Sequence, residues 1–175
     1  SGGFITQGEK PAEPRIACIP SSSLTIHDNW KVMGLKGTGS CSYSAEQLFV
    51  PESFTFPINQ DEPLRGGPIN YLGRPGFVTV DHAAVALGIA KRSLESIVET
   101  SKTKMRGYNA DLRTVSDRGY FKHDIGYAHT KLASARALVK QAHLAAWEYT
   151  KQKRVPPALI QSEMRNSGVY ATHVS

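Results

Sequence analysis

Trp30-Lys31-Val32-Met33-Gly34-Leu35-Lys36-Gly37-Thr38-Gly39-Ser40 is an apolar run that breaks into a turn of three glycines and two hydroxyls, and Leu48-Phe49-Val50-Pro51-Glu52 follows it. Trp30 to Met33 reads as a strand, Gln47 to Val50 as another, and the Gly- and Ser-rich stretch Gly34 to Ser44 as the loop joining them. With no Cβ on Gly34, Gly37 and Gly39, the backbone and the Thr38 and Ser40 hydroxyls can approach a flat ligand closely. The same residues also suit a tight turn between strands that binds nothing. On the residues alone both readings stand.

Before this stretch, Gly3 to Thr6, Arg15 to Ile19 and Leu24 to Ile26 read as further short strands, and Pro51 ends the strand region because proline cannot donate to a ladder. Glu52 to Pro75, with Gly66, Gly67, Pro68 and the Gly73 to Gly76 stretch, reads as a linker, which places a domain boundary near residue 65. Beyond it the period becomes helical. Val80, Ala84, Leu87, Leu94, Ile97, Val98 and Met105 predict a long amphipathic helix from Phe77 to Lys104, kept slim by Ala83, Ala84, Ala86, Gly88 and Ala90.

A second helix is predicted from a cap at Ser116, or a few residues before it, to Lys153. Its stripe is Phe121, Ile125, Ala128, Leu132, Ala135, Leu138, Val139, Ala142 and Trp147, with Tyr149 beside it. A third begins at Pro156 and Pro157 and carries Ile160 and Met164. It meets no stop signal before Ser175, and Ser1 to Thr6 reads as the middle of a strand. The expectation is a piece of a larger α+β protein, a partial antiparallel β-domain followed by long antiparallel helices of an incomplete bundle.

The 175 residues are 40% hydrophobic, a globular composition, and no run nears the ~20 apolar residues that span a bilayer. No secretory leader pattern opens the chain, so the expectation is a cytoplasmic protein with no membrane partner. Cys18 and Cys41 fall in the strand-like segments and read as free thiols. Net charge is +6, and residues 101–154 hold 12 Lys and Arg against 4 Asp and Glu. That excess suits a phosphate-bearing ligand or a solvated helix face. No helix-turn-helix, zinc-finger or aromatic RNA-binding pattern accompanies it, so no nucleic acid is expected.

The histidines at 27, 82, 123, 129, 143 and 173 show no metal-binding spacing, so no metal is expected. Neither Asp81 with His82 nor His123 with Asp124 is expected to form a dyad, because adjacent helix residues diverge. A Gly-x-Ser-x-Gly elbow is absent, which disfavours hydrolase chemistry. Core packing is expected of Phe49 and Phe77, while Trp30, Tyr43 and Tyr71 lie near the predicted domain junction.

The Trp30 to Ser40 stretch with Phe49-Val50-Pro51 resembles the middle-domain signature of the acyl-CoA dehydrogenase superfamily, in particular its two-component flavin-dependent monooxygenase branch. Lys36 stands where that pattern more often has arginine. Ala84 to Arg92 and Ala133 to Trp147 resemble the first helices of the family's C-terminal domain. The resemblance implies that residues 1–65 end a middle β-domain and 66–175 begin a helical bundle, with FMN or FAD held by both and dimers or tetramers completing each site.

It further implies flavin contacts from Thr38, Gly39 and Ser40, and phosphate contacts from Lys104, Arg106 and Arg113, Arg106 foremost. Lys102 and Arg118 belong to the same basic region, and complementing the helix dipole is the competing role for Lys102 and Lys104. No catalytic residue is assigned. The implied activity is hydroxylation of a small aromatic or sterol-like substrate by reduced flavin and O2, with a flavin reductase as partner. The alternatives are an acyl-CoA dehydrogenase passing electrons to an electron-transfer flavoprotein, and a non-catalytic packing or oligomerisation module.

Overall fold

The computed structural model describes residues 14–58, 62–108 and 112–175. The chain divides into two compact units, 1–60 and 61–175. The predicted strand Gly3 to Thr6 lies outside the described residues.

In the first unit, β1 (Arg15–Ala17) pairs antiparallel with β4 (Thr55–Pro57), and β2 (Thr25–Ile26) with β3 (Tyr43–Ser44). Ala17, fully buried, faces Thr55 across the first ladder. The Cys18 amide donates to the Phe54 carbonyl at 2.8 Å and the Ile58 amide to the Pro14 carbonyl at 2.9 Å, extending the pairing at both ends. Both cysteines are free and lie just outside the strands.

Several strand expectations are corrected here. Trp30 to Met33 is not a strand: its tryptophan turns inward to the loop, donating from Nε1 to the Leu35 carbonyl at 3.0 Å. Gln47 to Val50 is not one either, because Gln47 has φ 50°, far from the extended region a ladder requires. Tyr43–Ser44, assigned to the loop, is a strand, and β4 lies beyond Pro51 in the supposed linker. Pro57 is tolerated there because it ends its strand. Phe49 is 80% exposed and Phe77 51%, so neither is a core residue of its unit.

The second unit is helical. A short 3-10 turn, Pro68–Leu72, runs into α1 (Gly73–Ser101), followed by β5 (Met105–Arg106), β6 (Arg113–Thr114), α2 (Gly119–Lys151) and α3 (Ala158–Val174). Helix α1 therefore begins inside the stretch read as linker, because Pro75 falls in the first turn, where a missing N–H breaks no helical bond. Ser116 is not a cap. Thr114 Oγ1 donates to Asp117 Oδ2 at 2.6 Å and shares a 2.9 Å hydrogen bond with Ser116 Oγ, folding residues 115–117 into a 3-10 turn that delays α2 to Gly119.

Helix α3 packs against both long helices, and small residues set the spacing. One cluster joins Leu72, Ala142, Ala146 and Met164 with Ile160; the next joins Ala83, Ala135, Val139 and Ala171 with Leu87 and Val174. The buried hydrophobics of α1 are thus Ala83 and Ala90, at the edge of the predicted stripe, with Leu72 buried just before the helix. Val80, Ala84 and Leu94 of that stripe line an open groove of about 780 Å³ between α1 and α2, and Leu87 both borders it and packs on the second cluster. On α2, Leu138 is 44% and Trp147 36% exposed, both off the buried face.

A Cβ on Gly168 would collide with Thr79 Cγ2 and lie 3.4 Å from the Thr79 carbonyl oxygen, so α1 and α3 could not keep their approach. A Cβ on Gly88 meets nothing within 4 Å. Gly168→Ala is expected to destabilise the 175-residue chain by about 1–3 kcal/mol, and Gly88→Ala to stabilise it by roughly 0.5–1 kcal/mol. Urea denaturation of both variants tests the helix packing, and equal effects would contradict it.

Candidate flavin-binding surfaces

In the first unit the glycine turn is organised around one carbonyl. Leu35 takes a left-handed conformation, φ 57°, which a bulky residue rarely adopts. Its carbonyl accepts three hydrogen bonds, from Trp30 Nε1 at 3.0 Å, Thr38 Oγ1 at 2.9 Å and the Thr38 amide at 3.1 Å. Gly39, at φ 55°, needs the freedom that only glycine offers cheaply. Ser40 Oγ donates to Thr38 Oγ1 at 3.1 Å.

Thr38, Gly39 and Ser40 are therefore brought together on one exposed turn. The Thr38 hydroxyl hydrogen is engaged within the turn, and the Thr38, Gly39 and Cys41 amides donate to Leu35, Lys36 and Gly39. Ser40 is exposed, its hydroxyl oxygen keeps acceptor capacity, and its amide is not one of the turn's internal donors.

In the second unit the sequence reading placed Lys104 and Arg106 at a helix end and Arg113 in a loop. The structure corrects this: α1 stops at Ser101, and Arg106 and Arg113 stand directly opposite each other on the β5–β6 ladder. Residues opposite one another on an antiparallel ladder present their side chains to the same face. Lys104, two residues before Arg106, extends the ladder by accepting the Val115 amide at 2.9 Å, so the two-residue period puts it on that face as well.

Three cationic side chains on one face suit an anion of more than one charge, which a phosphate monoester supplies. Beside it, Thr100, Ser101, Tyr120 and Phe121 join Lys104 and Arg106 around a depression of about 290 Å³. Lys102 caps the C-terminus of α1, where its charge complements the helix dipole.

Sequence reasoning missed Arg118 as a structural partner of this ladder: its Nη2 donates to the Arg106 carbonyl. No local signal announces a bond spanning twelve residues. It also missed the contact between His123 Nδ1 and Asp124 Oδ1 at 3.0 Å, which forms because both side chains are more than 70% exposed and free to swing together on the helix exterior. His82 Nδ1 instead meets the Val78 carbonyl at 2.9 Å and makes no dyad with Asp81. Among the described residues no cluster of three metal-ligand side chains occurs, and no helix is long and apolar enough to cross a membrane.

Residues 80–175 match the family model described as acyl-CoA dehydrogenase, C-terminal domain. The chain is 29% identical over 168 residues to indole-3-acetate monooxygenase of Pseudomonas putida, covering 96% of this chain and 42% of that protein. It is 27% identical over 142 residues to the oxygenase component of p-hydroxyphenylacetate 3-hydroxylase of Acinetobacter baumannii, covering 74% of this chain and 31% of that one. The chain thus spans less than half the length of these relatives. The structure of XiaF from Streptomyces sp., in complex with FADH2 and glycerol, superposes with a TM-score of 0.80 at 20% identity, over 94% of this chain and 43% of XiaF. That likeness fixes the fold, and the family match extends over more than half of the chain. The chain belongs to the acyl-CoA dehydrogenase family through its C-terminal domain.

Proposed function

We propose that this chain is part of the oxygenase component of a two-component, flavin-dependent monooxygenase acting on a small aromatic substrate. The observation that carries the cofactor assignment is the pairing of Arg106 with Arg113 on one ladder, with Lys104 on the same face. That charge arrangement suits the terminal phosphate of FMN or the diphosphate of FAD. In the first unit taken by itself, the Ser40 amide and hydroxyl are proposed as groups able to meet the polar edge of a flavin ring, held in place by the bonds that gather on the Leu35 carbonyl. Residues 1–65 are taken as the end of the middle β-domain and 66–175 as the start of the helical bundle.

Reduced flavin supplies two electrons to O2, so that one oxygen atom enters the substrate and the other leaves as water. This chain's residues bind and orient; no residue within it is assigned as an acid or base. The relatives named for indole-3-acetate and p-hydroxyphenylacetate support an aromatic substrate and make arylacetates the first compounds to try. The apolar groove between α1 and α2 supports assembly into a dimer or tetramer. A diffusing reduced flavin calls for a flavin reductase in the same compartment, taken to be the cytoplasm.

Incubating the whole protein with a flavin reductase, NADH and each arylacetate under 18O2 is expected to place one labelled oxygen atom in the product. Flavin reduced by an acyl-CoA thioester, with no label incorporated, would instead establish a dehydrogenase.

A further inference from the structure

We infer that Arg118 is a positioning residue for the phosphate contact, acting through the backbone of Arg106 and not through the ligand. The inference rests on the reading that the β5–β6 ladder receives the flavin phosphate.

The ladder is too short to hold itself. It has two residues on each strand, and an isolated two-stranded pairing is marginal in water. Its position has to be set from outside. Arg118 is suited to that because its own backbone is anchored: its amide donates to the Val115 carbonyl at 3.2 Å, and its carbonyl accepts the Lys122 amide at 3.1 Å as the N-cap of α2. From there the half-buried side chain crosses to the ladder, and Nη2 donates to the Arg106 carbonyl.

That carbonyl belongs to the peptide joining Arg106 to Gly107. Because the peptide is planar, pinning its oxygen fixes ψ of Arg106 together with φ of Gly107. Gly107 has φ 115°, where no side chain resists rotation, so without the pin the plane can turn and the strand can leave its register. Arg118 thereby couples a helix of 33 residues to the direction in which Arg106 presents its guanidinium.

The test is a double-mutant cycle in the whole protein: wild type, Arg106→Met, Arg118→Met and the pair, each titrated anaerobically with reduced FMN and with reduced riboflavin, which lacks the phosphate. Arg106→Met and Arg118→Met are each expected to weaken FMN on the order of tenfold. The pair should be no weaker than Arg106→Met alone, because residues acting through one contact do not add. Riboflavin affinity should stay within twofold throughout, and Arg118→Lys, which retains one donor on a long stem, should recover part of the loss.

An unchanged FMN affinity in Arg118→Met beside a weakened Arg106→Met would overturn the inference, as would losses that multiply in the pair. Equal loss of FMN and riboflavin in Arg118→Met would mean a merely structural role and would also overturn it. If Arg118→Met does not fold, the same comparison on Arg118→Lys decides, with no FMN-specific loss counting against the inference. An Arg106→Met protein that binds FMN as wild type does would remove the phosphate reading itself, and the positioning role with it.

Discussion

Met164→Ala is expected to lower the stability of the 175-residue chain by about 2–5 kcal/mol, the range for truncating a fully buried long apolar side chain. Met164 is 0% exposed and joins α3 to Leu72, Ala142 and Ala146. Its terminal methyl lies where a Cβ on Gly76 would come within 2.8 Å, so it fills the gap that this glycine leaves on α1. Ala142, Ala146 and Gly76 on three of its sides have no long side chains to swing into the vacated space, which leaves only Leu72 and Ile160 to relax. The cavity should therefore stay open, and the cost should lie towards the upper end. A urea midpoint that shifts with an unchanged slope would confirm a native-state effect. A loss under 1 kcal/mol would mean that α3 is not seated as described.

Replacing Arg106 and Arg113 together by methionine is expected to raise the Kd for FMN in the whole protein on the order of 100-fold. Hydrogen bonds to charged groups contribute about 1.5–3 kcal/mol each, and 1.4 kcal/mol is a factor of ten in affinity. Arg106 and Arg113 face each other on a ladder of two residues per strand, away from the packed core of the three helices, so the variant is expected to keep the helical fold in the absence of flavin. Weakened FMN binding in a folded protein is the expected signature. Loss of stability without loss of affinity would assign these arginines to structure alone.

The helices were legible because their periodic apolar residues leave a strong imprint. The face that each helix buries was less so. On α1 Val80 and Leu94 of the predicted line border an open groove, Leu87 borders it and also packs on the Ala83 cluster, and the closest contacts with α3 use Ala83 and the Thr79–Gly168 approach. Hydrophobic size marks amphipathicity, whereas closest approach selects the small residues, which on α1 lie along one edge of the same face.

The short strands were the least legible, since two or three residues carry little periodicity and proline was read as a stop where β4 ends on one. The glycine turn was found because its composition is unusual, but its organisation about the Leu35 carbonyl depends on a left-handed leucine that no propensity favours. Arg106 and Arg113 were chosen as basic residues, yet their pairing depends on a strand register that the charged loop sequence does not display.

The most direct test of the account compares the affinity of the whole wild-type protein for reduced FMN with that for reduced riboflavin, measured by anaerobic titration. If Lys104, Arg106 and Arg113 form a phosphate seat, FMN should bind at least tenfold more tightly. Equal affinities for the two flavins would contradict it.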